Sequence, residues 1–144
     1  MSGMRRALVI ATALALLAAC GSSSPTATSL PGLTSAKQAK IRTDALSTAK
    51  GDQDAHPSSV MVFASRRHEA NIAAGAGTGV FGEQPVYLVV IRGNFVASFG
   101  RGSPERASVV TLVLDRKTLA HLDYGFGGPV DTSKVGPGLP LHLG

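Results

Sequence analysis

The sequence predicts an α+β fold, with an N-terminal helix packed on an antiparallel sheet of about four strands. Three observations lead there. The stretch "TSAKQAKIRTDALSTAKGD" carries the start and stop signals of a helix and precedes every strand-like run. The runs after it are short, rich in Val, Leu and Ile, and bounded by Gly, Pro and Asp. A helix followed by a series of strands, rather than alternating with them, lies across one face of a sheet.

Each element follows from its residues. The helix is expected over 35–50, with Thr34 or Ser35 as its cap and Gly51 as its end. Its apolar stripe is thin (Ile41, Ala45, Leu46, Ala49), so its contact with the sheet is close and alanine-based. "VMVFAS", 60–65, reads as a strand, and "RRHEANIAA" as a short helical turn. "GAGTGVFGEQP" is a loop by its glycines and Pro85. "VYLVVI", 86–91, is the clearest strand, and Gly93-Asn94 marks a bulge before "FVASF". "GRGSPE" turns the chain into "SVVTLVL", which forms a hairpin with "LAHLDYG" around residues 115–118. The Pro- and Gly-rich tail, 127–144, reads as irregular.

The central strands are apolar on both sides. Val86, Leu88 and Val90 alternate with Tyr87, Val89 and Ile91, and Val110, Leu112 and Leu114 alternate with Val109 and Val113. A sheet covered by a helix on one side only shows polar residues on the other. A second cover is therefore required: the 66–84 segment, the proline-rich tail, or an outside partner. In the last case the candidate ligand or partner face is Tyr87, Val89, Ile91, Val109 and Val113, and it takes an envelope protein or an apolar ligand.

The N-terminus gives an address. Arg5 and Arg6 precede an apolar run, 7–19, broken only by Thr12. A basic segment followed by a short apolar one is the layout of an export signal. Thirteen helical residues reach about 20 Å, short of a bilayer's hydrocarbon core of roughly 30 Å, which argues against a permanent span. The chain's single cysteine, Cys20, follows directly and excludes an intramolecular disulfide. Residues 20–32, dominated by Ser, Thr, Pro, Ala and Gly, read as a flexible tether, leaving 33–144 as one small domain.

Leu17-Ala18-Ala19-Cys20 resembles the lipobox of bacterial lipoproteins. That resemblance implies a diacylglyceryl group on the Cys20 thiol and cleavage just before it, so 1–19 is a signal peptide. Two acyl chains hold a protein on a membrane where one is marginal. The implied location is the extracytoplasmic face of the cell membrane. The hairpin "VTLVLDRKTLAHLDYG" is similar to the closing hairpin of PepSY-type domains, and the element order is also cystatin-like. It departs from the PepSY pattern at Leu119, where that family has glycine after the turn threonine. The whole chain resembles small secreted lipoproteins of actinobacteria. These resemblances imply a fold and a binding role rather than an activity.

Charge narrows the partners. The chain carries 14 Lys and Arg against 9 acids, a net +5. Loss of Arg5 and Arg6 with the signal leaves +3, and Arg66-Arg67 is only a pair. No basic run interleaved with aromatics is present in the sequence, which argues against nucleic acid.

Three motifs point toward chemistry and fall short. "GTGVFG" matches G-x-G-x-x-G, but a strand rather than a helix is expected after it. Ser47 and Lys50 have S-x-x-K spacing without the S-D-N and K-T-G partners. "HEANI" lacks the second histidine of a zinc-binding helix. His121 and Asp123 are expected on one side of a strand, and His56 follows Asp52 and Asp54. Together His56, His121 and Asp123 form the alternative site of a small envelope enzyme or metal-binding protein. The first expectation is a non-enzymatic, membrane-anchored interaction module that needs no cofactor.

Overall fold

The computed structural model describes residues 25–77 and 79–144; the expected signal segment and Cys20 lie outside the described residues. The fold is α+β. Helix α1 (Ser35–Gly51) is followed by β1 (Ser59–Arg66), α2 (Arg67–Ala73), β2 (Pro85–Ala97), β3 (Glu105–Asp115) and β4 (His121–Phe126). A short 3-10 turn, Thr132–Lys134, leads to β5 (Gly138–Leu141). The strands form one sheet in the order β4-β3-β2-β1-β5, and neighbours are antiparallel throughout.

Helix α1 starts where Thr34 Oγ1 accepts the Lys37 amide at 3.3 Å. Ile41, Ala45 and Ala49 recur every fourth residue and are fully buried, so the helix backbone lies close on the sheet. Its end differs from expectation. Gly51 is still helical, and the chain reverses two residues later. Asp54 N donates to Ala49 O at 2.8 Å and Gln53 N to Lys50 O at 3.1 Å. This is the paired closure that puts a left-handed residue just past the helix, and here that residue is Gln53, at φ +64°. Asp54 then ties the helix exit to the Gly93-Asn94 bulge, accepting the Asn94 amide at 2.7 Å.

Strand parity assigns each apolar row to a core. Tyr87 pairs with Leu114, Val89 with Leu112 and Ile91 with Val110, all beneath α1. Val86, Leu88, Val90, Val109 and Val113 face the other way, against Ala70 and Ala73 of α2 and Val135 of the tail. The expected grouping of Tyr87, Val89 and Ile91 with Val109 and Val113 is therefore corrected. The uninterrupted register from Val86↔Asp115 to Arg92↔Val109 sets Val109 opposite Arg92 and Val113 opposite Leu88, on the face away from Tyr87, Val89 and Ile91.

Two segments expected to be loose are packed. The tail supplies β5, which pairs with β1 from Val60↔Leu141 to Phe63↔Gly138. Gly138 is required there, because a Cβ would collide with the Phe63 ring. The expected tether, 20–32, is corrected from Pro25 onward. Thr26 bridges Gly138 in parallel, Ala27 N donates to Gly138 O at 2.8 Å, and Leu30 is buried under α1. Pairing to a strand edge uses backbone groups, so the Ser/Thr/Pro composition did not reveal it.

Gln53→Gly is expected to stabilise the domain by about 0.5–1 kcal/mol, because glycine adopts the left-handed conformation without steric cost. Equilibrium urea unfolding with an unchanged slope checks this.

Candidate functional site

The five residues expected to form an open face are all buried. Tyr87, Val89 and Ile91 are fully covered beneath α1, and Val109 and Val113 are at most 5 % exposed beneath α2 and the tail. Tyr87 is a structural post. Its hydroxyl donates to Pro31 O at 2.7 Å, and Lys37 and Arg116 sit 5.9 and 5.7 Å from its ring centroid. Burial raises its phenol above the ordinary range, and Arg116 opposes that.

His56, His121 and Asp123 are not brought together. His56 follows α1 beside the β2 bulge, whereas His121 pairs with Leu114 near the start of β2. The five residue steps from Tyr87 to Arg92 put roughly 17 Å of strand between those levels. His121 and Asp123 also leave opposite faces. A register shift between Val113 and Leu114 makes Leu122 an extra residue, so His121 sits opposite Leu114 and Asp123 opposite Val113. His121 Nε2 lies 3.6 Å from Asp44 of α1. Among the described residues, no group of three His, Cys, Asp or Glu side chains is placed to hold a metal ion.

The structure instead presents a cleft of about 270 Å³ between the end of α2 and β4. Its floor is Thr111 and Val113 of β3, and its far wall is the inner side of β4. Residues 74–76 and the turn 127–129 form the two rims. The cleft lies past the C-terminal end of the seven-residue helix α2, whose exit at residues 74–76 forms one of its rims. Thr111 is the one polar residue in the buried run 109–114 of β3, at 4 % exposed. Its hydroxyl lies over Gly125, where any Cβ would collide with Oγ1. Glycine at that point keeps the floor open.

A charged network holds the wall. Arg67, the first residue of α2, grips Asp123 with Nε at 2.8 Å and Nη2 at 2.9 Å. Asn71, one turn later, donates Nδ2 to the same carboxylate at 3.0 Å and to Arg67 O at 2.9 Å. Both neighbours can only accept, so the amide orientation is fixed and Oδ1 is the end left over. Asn71 is 3 % exposed and lines the cleft. The Arg67 hydrogen bonds, followed by that of Asn71, hold the Asp123 carboxyl below the usual carboxylate range against the opposing effect of burial. Tyr124, on the opposite side of β4, bonds Asp52 at 2.8 Å; burial first and that bond second push its phenol up.

The sequence signal for this site is a threonine within an apolar strand and a glycine within the strand paired to it. No protein-family model, curated protein or solved structure matches this chain.

Asp123 has a folded pKa below its unfolded value of about 3.9, so its ion pair stabilises fully above that value. The contribution is lost as pH falls through the lower, folded pKa. Asp123→Asn should therefore lower stability at pH 7 and flatten the loss below about pH 4. Urea midpoints measured from pH 2 to pH 7 for both proteins check the sign. A residual acid slope is expected from Asp115, whose carboxyl the Thr118 backbone and hydroxyl groups hold low.

Proposed function

We propose that this chain is a lipid-anchored, extracytoplasmic lipoprotein whose domain is a non-enzymatic binding module, with the α2–β4 cleft as its ligand site. One observation carries the binding reading: two polar side chains more than nine-tenths buried, Thr111 and Asn71, line an open cleft whose wall carries no side chain at Gly125. Buried polar groups are ordinarily satisfied within the protein. A hydroxyl and an amide oxygen kept at the bottom of a cleft suit a bound molecule.

The carboxylates support a binding role over a catalytic one. Asp54 caps the β2 bulge, Asp115 organises the β3–β4 turn, Asp123 ties α2 to β4 and Glu69 accepts from Ser65 at 3.2 Å. Each is engaged by structure rather than poised beside a nucleophile.

The anchor reading rests on Leu17-Ala18-Ala19-Cys20 and gains a geometric consequence. Four residues separate Cys20 from Pro25, where strand-edge pairing begins, so five extended steps let the domain stand at most about 17 Å from the Cys20 backbone. Such a module works at the membrane surface and does not roam on a long stalk.

Cys20→Ser should abolish acyl incorporation seen by intact mass and release the chain from the membrane fraction. Acylation of the variant, or an unmodified Cys20 on an uncleaved wild-type chain, contradicts the anchor. For the cleft, amide NMR shifts at Asn71, Thr111, Asp123 and Gly125 should appear with a panel of small polar molecules and vanish in Ala76→Trp, which fills the rim. Shifts that persist in that variant contradict the site.

A further inference from the structure

We infer that the α2–β4 cleft recognises a primary ammonium group carried on a short aliphatic stem. The inference rests on the cleft being a ligand site and names the chemistry it takes. The groups that face a ligand there are acceptors. Among the described residues, Asp123 is the only charged side chain lining the cleft. Arg67, its partner, reaches the carboxylate from outside the lining and has both Nε and Nη2 committed to it. Asn71 spends its two amide hydrogens on Arg67 O and Asp123, which leaves only a carbonyl oxygen to offer. The Thr111 hydroxyl over Gly125 completes a set of three oxygens. An ammonium group has three donors and no acceptor, and matches them; among the lining side chains a carboxylate or phosphate meets the Asp123 charge and a single hydroxyl donor.

The remaining walls are apolar and close. Val113, Ala74, Phe126 and Pro129 line the same space. About 270 Å³ corresponds to roughly nine waters, enough for an ammonium and a few methylenes but not for a nucleotide. Asp123 stays ionised across neutral pH because Arg67 favours its charged form, so the attraction persists until the ligand amine itself loses its proton.

The test uses the full-length chain in detergent, labelled with nitrogen-15 and titrated with n-butylammonium, n-butanol and n-butyrate at matched ionic strength. Shifts at Thr111, Asn71 and Gly125 should saturate with butylammonium at the lowest concentration and with butyrate at the highest. Thr111→Val, which removes only the hydroxyl, should weaken butylammonium about three- to tenfold, and Asp123→Asn tenfold or more. An acetylated, amidated Gly-Lys-Gly peptide separates the two sources of such a group. Binding tighter than butylammonium assigns a lysyl side chain, and binding by the free amine alone assigns a small molecule. Butyrate binding as well as butylammonium, or Thr111→Val leaving the affinity unchanged, overturns the inference while keeping the cleft as a site. Absence of cleft shifts with every probe overturns the binding reading itself.

Discussion

A sheet whose central strands are apolar on both sides must be covered twice. Leaving Val86, Leu88, Val90, Val109 and Val113 in water would forfeit on the order of 10 kcal/mol, at about 1.5–3 kcal/mol for each large side chain. That is comparable to the whole stability of a domain this size, roughly 5–15 kcal/mol. The first cover is α1, seated through Ile41, Ala45 and Ala49. The second is assembled from less: Ala70 and Ala73 of α2, with Val130 and Val135 from the tail. The second cover is short, and past the end of α2 it leaves the cleft against β4. Two of the three buried polar residues among the described residues, Thr111 and Asn71, line that cleft; the third is Ser65.

The same economy explains the ion pair. A seven-residue helix has little intrinsic stability and needs tertiary ties. Arg67 and Asn71 lie one turn apart on α2, and both reach Asp123 on β4, so one carboxylate fixes the helix at two points. Backbone bonds finish the seam: Asp131 N donates to Ala73 O at 2.9 Å and Ala76 N to Asn71 O at 2.9 Å. The wall of the cleft is thus held rigid from both sides, a condition for selecting a ligand by geometry.

Much of the scaffold was legible because it is local. Thr34 as a cap, the thin alanine stripe, the run 86–91 and the Gly93-Asn94 bulge each announce themselves within a few residues. What escaped is non-local. Strand β5 carries Pro140 and two glycines nearby and reads as coil, yet an edge strand tolerates proline because one side of it needs no donor. Residues 25–32 bind through backbone, with Leu30 as the single apolar clue. The bulge at Leu122 separated His121 from Asp123, and the cross-strand register of β2 with β3 set the true parity of Val109 and Val113. Leu119 shows the reverse case: it adopts φ +61°, a conformation glycine favours, and is buried there. The cleft was invisible because it depends on where α2 stops in space.

Everything about the site follows from α2 and the tail being a permanent cover rather than a loose flap. Native-state hydrogen exchange at low denaturant measures this directly. The Ala74 and Asp131 amides, which close α2 and join it to the tail, should be strongly protected and should lose protection together with Val89 and Leu112 of the sheet as urea is added. Exchange of Ala74 and Asp131 near free-peptide rates, with Val89 and Leu112 still protected, would mean that the second face is open in solution and that the cleft walls described here do not persist.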